Sequence, residues 1–135
     1  MTQRTPALAG ILFLLPWAMT TLLPGDETGD AQTLRVFIFA GQSNMVGSDS
    51  KVKDVKRFPP FTGLENPQPQ VKFSYSIGRE NKMTSDGWVD LQPVNNVVGP
   101  ELSFARRVSG KIAAPIAIIK CAAGGTHLGG DWNPD

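Results

Sequence analysis

One serine of this chain stands where nucleophile chemistry would place it. Ser43 lies in Gly41-Gln42-Ser43-Asn44-Met45-Val46-Gly47, immediately after the apolar run Leu34-Arg35-Val36-Phe37-Ile38-Phe39-Ala40. A serine lifted off the end of a buried strand and flanked by glycines presents its Oγ to a crevice, while the next backbone N–H groups open a helix and point the same way. Acyl transfer needs this combination of a hydroxyl and fixed donors. The same turn also suits a helix cap or a cradle for phosphate, and the residue types alone leave those uses open. A second turn of small residues, Gly124-Gly125-Thr126, follows a second apolar run, Pro115-Ile116-Ala117-Ile118-Ile119-Lys120. Ligands in open α/β sheets gather at the carboxyl ends of the strands, so the two turns are expected to share one crevice.

The remaining chemistry-bearing residues each have a plain reading beside the sharp one. His127 is the single histidine and has Asp131 four positions on; a loop histidine is ordinarily structural, and a surrogate base is the sharper alternative. Asp131 and Trp132 suit the lining of a sugar site or, more simply, a turn cap and a packed aromatic. Gln42 and Asn44 either orient the turn and touch substrate or make local Asx-type hydrogen bonds. Cys121, the only cysteine, cannot form an internal disulfide and is expected as a small buried hydrophobe. One histidine and one cysteine make no structural zinc cluster, and no metal or organic cofactor is implied. Lys51, Lys53, Lys56 and Arg57, interrupted by Asp49 and Asp54, read as a solvated loop face.

Three strands and a helix must position these residues. The run 34–40 is too short for a helix and too uniformly apolar for a half-exposed strand, so a buried parallel strand is expected. Residues 48–70, with Pro59, Pro60, Pro67 and Pro69, read as a long surface loop. Val71-Lys72-Phe73-Ser74-Tyr75-Ser76-Ile77 alternates at period two, a strand with one wetter face. Gly99-Pro100-Glu101 starts a helix, with proline at the first helical position and the acid facing the positive end of the dipole. Leu102, Ala105, Val108 and Ile112 would share its buried face. A third strand over 115–120 completes a strand–helix–strand order that calls for a right-handed crossover and a parallel sheet covered on both faces. That third strand is expected to present an open, apolar edge.

Of the 135 residues, 13 are Lys or Arg and 12 Asp or Glu, which gives a net charge of +1 and no electrostatic case for nucleic acid. A hydrophobic share of 41% with 19% charged residues excludes a disordered tail. Arg4 precedes an apolar stretch, Ala7 to Met19, that suits a secretory signal peptide; an uncleaved membrane anchor is the competing reading. The expected division is therefore residues 1–31 as signal and linker, and 32–135 as one folding unit, secreted or periplasmic.

The blocks Gly41-Gln42-Ser43-Asn44-Met45 with Gly47, then Gly99-Pro100-Glu101-Leu102-Ser103-Phe104, then Gly124-Gly125-Thr126 with Asp131-Trp132 resemble, in order and spacing, those of the sialate O-acetylesterase and acetylxylan esterase group of the SGNH hydrolase superfamily. The likeness runs from Leu34 to the last residue, and its first block is the most specific. It implies a flavodoxin-like, three-layer α/β fold on a parallel sheet, and a serine esterase that removes O-acetyl groups from carbohydrates of the sialate or xylan type. By that resemblance Ser43 is the nucleophile, the backbone N–H groups of Ser43 and Gly99 are oxyanion donors, and Gln42, Asn44, Gly124, Gly125 and Thr126 touch substrate. Family members carry the catalytic Asp and His as Asp-x-x-His near the C-terminus, and no such pair stands here. The chain therefore reads as the N-terminal part of such a domain, cut after about three strands and expected to turn over little by itself. The reading from a different class is a non-catalytic carbohydrate-binding or vestigial module. Beyond an acetylated carbohydrate no partner is implied: no nucleic acid, and no membrane apart from the possible N-terminal anchor.

Overall fold

In the computed structural model of the protein the described residues are 33–80 and 82–134; the signal-peptide reading lies outside them. Five strands form one sheet: β1 (Arg35–Gly41), β2 (Gln68–Ile77), β3 (Met83–Thr84), β4 (Val89–Leu91) and β5 (Ile116–Ala122). β5 lies between β1 and β2 and pairs parallel with both. β3 and β4 run antiparallel along the other edge of β2. The result is a mixed α/β fold with a mainly parallel core, the class expected. The two antiparallel strands were not legible, because two or three residues carry no period.

The strand order corrects one expectation. The run 115–120, expected as the open edge, is the central strand, and its uninterrupted Ile116, Ala117 and Ile118 are buried. Strands enclosed on both sides read as continuous apolar runs. The run 34–40, expected to be buried, is instead an edge: among the described residues β1 pairs only with β5.

Register divides the sheet into two unlike faces. Phe37, Ile118 and Phe73 form one row, and Phe39, Lys120 and Tyr75 the next. This face bears the core, where Val71, Phe73, Ile116 and Ile118 pack with Leu64, Leu91, Val98, Leu102 and Ala105. Leu102 and Ala105 come from α3 (Pro100–Ser109), whose Phe104 stands edge-on to Phe37 and Phe39 at centroid distances of 4.8 and 5.2 Å. The helix ends three residues before Ile112, which still packs against the core.

Cover was expected on both faces. On the opposite one, Val36 is 46% and Ile38 74% exposed, and Ile119 beside them is also open. Cys121 shares that face by alternation with Lys120 and is exposed rather than buried. Residues 48–70 are more ordered than a surface loop. They hold α2 (Val52–Val55), a 3-10 turn over Pro59–Phe61 and the fully buried Leu64, because Val52, Val55 and Leu64 supply apolar contacts to the core. Lys51, Lys53, Lys56 and Arg57 are exposed, and Arg57 pairs with Asp54. Among the described residues no helix is long and apolar enough to cross a membrane.

Candidate active site

The parallel core brings three strand ends to one line. Ala122 is in register with Gly41 on one side and Ile77 on the other. The Ala123 N–H donates to the Gly41 carbonyl at 3.0 Å, and the Gly78 N–H to the Ala122 carbonyl at 2.8 Å. The two glycine-rich turns therefore leave the sheet side by side, as their position after apolar strands predicts.

Ser43 opens a single helical turn, α1 (Ser43–Val46). Its Oγ donates to Gln42 Oε1 at 3.2 Å, and its carbonyl accepts the N–H groups of Gly47 at 3.0 Å and Ser48 at 3.2 Å. Gly47 closes the turn in the left-handed region, φ 84°, where L side chains are strained. A β-carbon there would also stand 2.9 Å from the Gly99 Cα, so glycine allows the serine turn to lie directly against the backbone of 98–99. The Ser43 and Gly99 N–H groups sit at the starts of α1 and α3, where helix geometry supplies no internal acceptor.

A clasp delivers Gly99 to this place. Asn95 and Asn96 take φ of 51° and 57° between Val94 and Val97, the mirror-image tight turn for which asparagine is suited, closed by a Val97 N–H to Val94 carbonyl bond of 3.0 Å. The Asn96 carbonyl then accepts from the Val52 N–H at 3.0 Å, and the Val98 N–H donates to the Ser50 carbonyl at 2.8 Å. Sequence reasoning missed this clasp, although an Asn-Asn pair between valines is a hairpin signal.

It also missed the polar pair beneath Gly99. Lys120 Nζ donates to Glu101 Oε2 at 2.7 Å, with the two side chains 1% and 2% exposed. Burial pushes the Glu101 carboxyl up and the Lys120 ammonium down from their ordinary ranges, each against the pull of its partner. The sequence presents Glu101 as a helix-start acid within the Gly99–Phe104 block and Lys120 as the end of an apolar run, with no sign that the two meet.

The two sequence neighbours of Ser43, Asn44 and Gln42, each line a cavity. Asn44, Gly47, Phe61, Leu64, Gly99 and Ser103 line one of about 240 Å³. Gln42, Thr126, His127, Leu128 and Trp132 line a larger one of about 460 Å³. Gln42 and Asn44 accordingly face different cavities. Thr126 Oγ1 donates to the Ala123 carbonyl at 2.7 Å, which orders its turn. Gly124 and Gly125 are exposed, and Gly124 faces a separate open cleft with Gly78, Arg79 and Glu80.

His127 is not joined to Ser43 by a hydrogen bond among the described residues. Its ring is 75% exposed, with Nδ1 3.9 Å from Asp131 Oδ2, while its backbone N–H donates to that same oxygen at 3.1 Å. Asp131 also pairs with Arg79. The His127 N–H, helped by the Arg79 guanidinium, holds the Asp131 carboxyl below the usual carboxylate range. Asp131 thus works as a turn cap in this geometry, the plainer of its two readings. Among the described residues no three His, Cys, Asp or Glu side chains are grouped to hold a metal.

Residues 33–135 match the sequence model of a family described as carbohydrate esterase, sialic acid-specific acetylesterase. The chain belongs to this family. A crystal structure of an Arabidopsis thaliana protein is similar in fold, with a TM-score of 0.50 and 23% identity over 76% of this chain. The chain spans 45% of the length of that protein. None of the curated proteins matches significantly. The matched span includes the serine turn, the Gly99 turn and the Gly124 turn.

Proposed function

We propose that the protein is a serine esterase whose Ser43 removes O-acetyl groups from a carbohydrate, sialate or xylan in type. One observation supports this reading: Gly47 brings the Ser43 turn against the backbone of Val98 and Gly99, so that the serine and the starts of two helices, whose first N–H groups lack helical acceptors, are neighbours. In the reaction Ser43 Oγ bonds to the acetyl carbon while its proton passes to a base. The carbonyl oxygen becomes the oxyanion, held by the Ser43 and Gly99 N–H groups. Collapse expels the sugar hydroxyl, and water then releases acetate from the acyl-serine. Each such donor contributes about 3–4 kcal/mol in comparable acyl-transfer enzymes.

In this reading Gln42 and Thr126 meet substrate from one cavity and Asn44 from the other, and Gly124 and Gly125 extend the binding surface from the exposed turn before Thr126. Among the described residues no base is hydrogen-bonded to Ser43. Ser43 Oγ has Gln42 as its side-chain partner, and a serine without an adjacent base is a weak nucleophile. Turnover by this chain is accordingly expected to be low. The same observation favours a second reading, a carbohydrate-binding module that keeps the crevice without chemistry. Secretion, or location in a periplasm, follows from the leader reading of residues 1–31.

The test is wild type beside Ser43→Ala and His127→Ala, assayed with p-nitrophenyl acetate and with O-acetylated sialic acid and xylan, together with labelling by a fluorophosphonate. Labelling or acetate release that disappears in Ser43→Ala supports the esterase. Binding of acetylated glycan with neither, or labelling that survives Ser43→Ala, overturns it.

A further inference from the structure

We propose that the buried Lys120–Glu101 pair is the positioning element of the candidate site, holding the Gly99 backbone and the Ser43 turn at a fixed separation. The proposal rests on the reading of Ser43 and Gly99 given above and adds residues that contact no substrate.

The geometry is that of a three-way tie. Lys120 projects from the central strand, and its Nζ donates to Glu101 Oε2 at 2.7 Å and to the Val46 carbonyl at 3.4 Å. Val46 is the last residue of α1, whose terminal carbonyls have no helical donor. Glu101 is in the first turn of α3. One ammonium thus grips the end of the serine turn and the beginning of the helix that Gly99 caps. Gly99 rests on the pair itself, since a β-carbon there would lie 2.3 Å from both Glu101 Oε2 and Lys120 Nζ.

Packing does not account for this arrangement. A cavity of about 170 Å³, lined in part by Val46, Ser48, Ile77, Glu101 and Lys120, adjoins the pair. Apolar residues of similar volume often match or exceed a buried ion pair in stability, so a pair kept in a core is weak evidence for a stabilising role. What an apolar pair cannot supply is the directed bond to Val46 and the fixed height of Gly99 above the sheet. A stability role and a positioning role therefore separate in the double variant Glu101→Gln/Lys120→Met, which removes both charges together.

The experiment compares wild type, Glu101→Gln/Lys120→Met and Glu101→Asp in the full chain. Thermal melting reports stability, and amide shifts of Gly47, Ser48 and Gly99 with hydrogen exchange at Gly47 and Ser48 report position. The rate of Ser43 phosphonylation by a fluorophosphonate reports function. Positioning predicts that the double variant melts near wild type, yet shows displaced amide resonances, at least about tenfold faster exchange at Gly47 and Ser48 through local opening, and slower phosphonylation. Wild-type resonances and exchange in a folded double variant overturn the proposal. Should that variant not fold, Glu101→Asp decides: it keeps both charges and shortens the reach, so shifted Gly99 and Gly47 resonances support the tie and unshifted ones refute it. Absence of Ser43 labelling in wild type counts against the esterase reading alone, because the amide measurements test the tie without it.

Discussion

A β-carbon on residue 47 would stand 2.7 Å from the carbonyl oxygen of Val98, so Gly47 and Val98 meet backbone to backbone. Gly47→Ala is expected to cost about 2–4 kcal/mol, combining the left-handed penalty with the overlap. Gly110 is the control, since a β-carbon there meets nothing within 4 Å and its φ is −81°. Gly110→Ala should gain about 0.4–1 kcal/mol through the unfolded state. Urea midpoints for the two variants check the contact, and equal shifts would contradict it.

Lys120→Met should destabilise the protein by about 3–5 kcal/mol, because it strands a buried carboxyl, whereas Glu101→Gln/Lys120→Met should be close to neutral. The penalty of the single variant depends on pH. Burial already raises the Glu101 carboxyl above 4.5, and loss of the ammonium raises it further. Between 4.5 and that raised value the native state holds a proton that the unfolded chain has released, so the variant loses stability as pH rises through this window. The Tm gap from wild type should be smallest near pH 4.5 and widen toward neutrality. A gap independent of pH would show that Glu101 does not titrate there.

Asp131 has the opposite sign. Its carboxyl is held below 3.8 by the His127 N–H and Arg79, so its bonds contribute fully above that value and are lost as pH falls through the lower folded value. The His127 amide resonance should titrate with a midpoint under 3.8, and Asp131→Asn should abolish the titration with little change in global Tm. A midpoint at or above 3.8 would refute the cap.

The face that carries Val36 and Ile38, beside a strand edge that has no partner among the described residues, is an aggregation hazard. Ile38→Lys should reduce dye binding to apolar surface and lower self-association in ultracentrifugation, with little loss of stability, since Ile38 is 74% exposed. A wild-type chain that stays monomeric at high concentration would argue against the hazard.

How legible these features were depended on whether they were written locally. The Ser43 turn, the Pro100 helix start and the period-two strand at 71–77 are set by neighbours in sequence, and they emerged where the residues placed them. Edge and centre could not be told apart, because 34–40 and 115–120 are equally apolar and only the pairing of distant strands decides which is enclosed. The partnership of Glu101 and Lys120 was hidden for the same reason: it crosses from a helix to a strand. Cys121 went wrong through a face assignment, one residue of alternation beyond Lys120.

The order β1-β5-β2 has a consequence for how the chain comes together during synthesis. The first two long strands have no pairing with each other; each pairs with residues 116–122, the last of the described strands. Until that stretch has left the ribosome, the apolar runs at 35–41 and 68–77 are separate ribbons in need of protection, and folding of so non-local a core is slow. The late strand also carries Lys120, so Val46 and Glu101 gain the residue that ties them at the same moment the sheet closes. The strand that joins the two halves of the sheet is therefore also the one that joins the two turns of the candidate site.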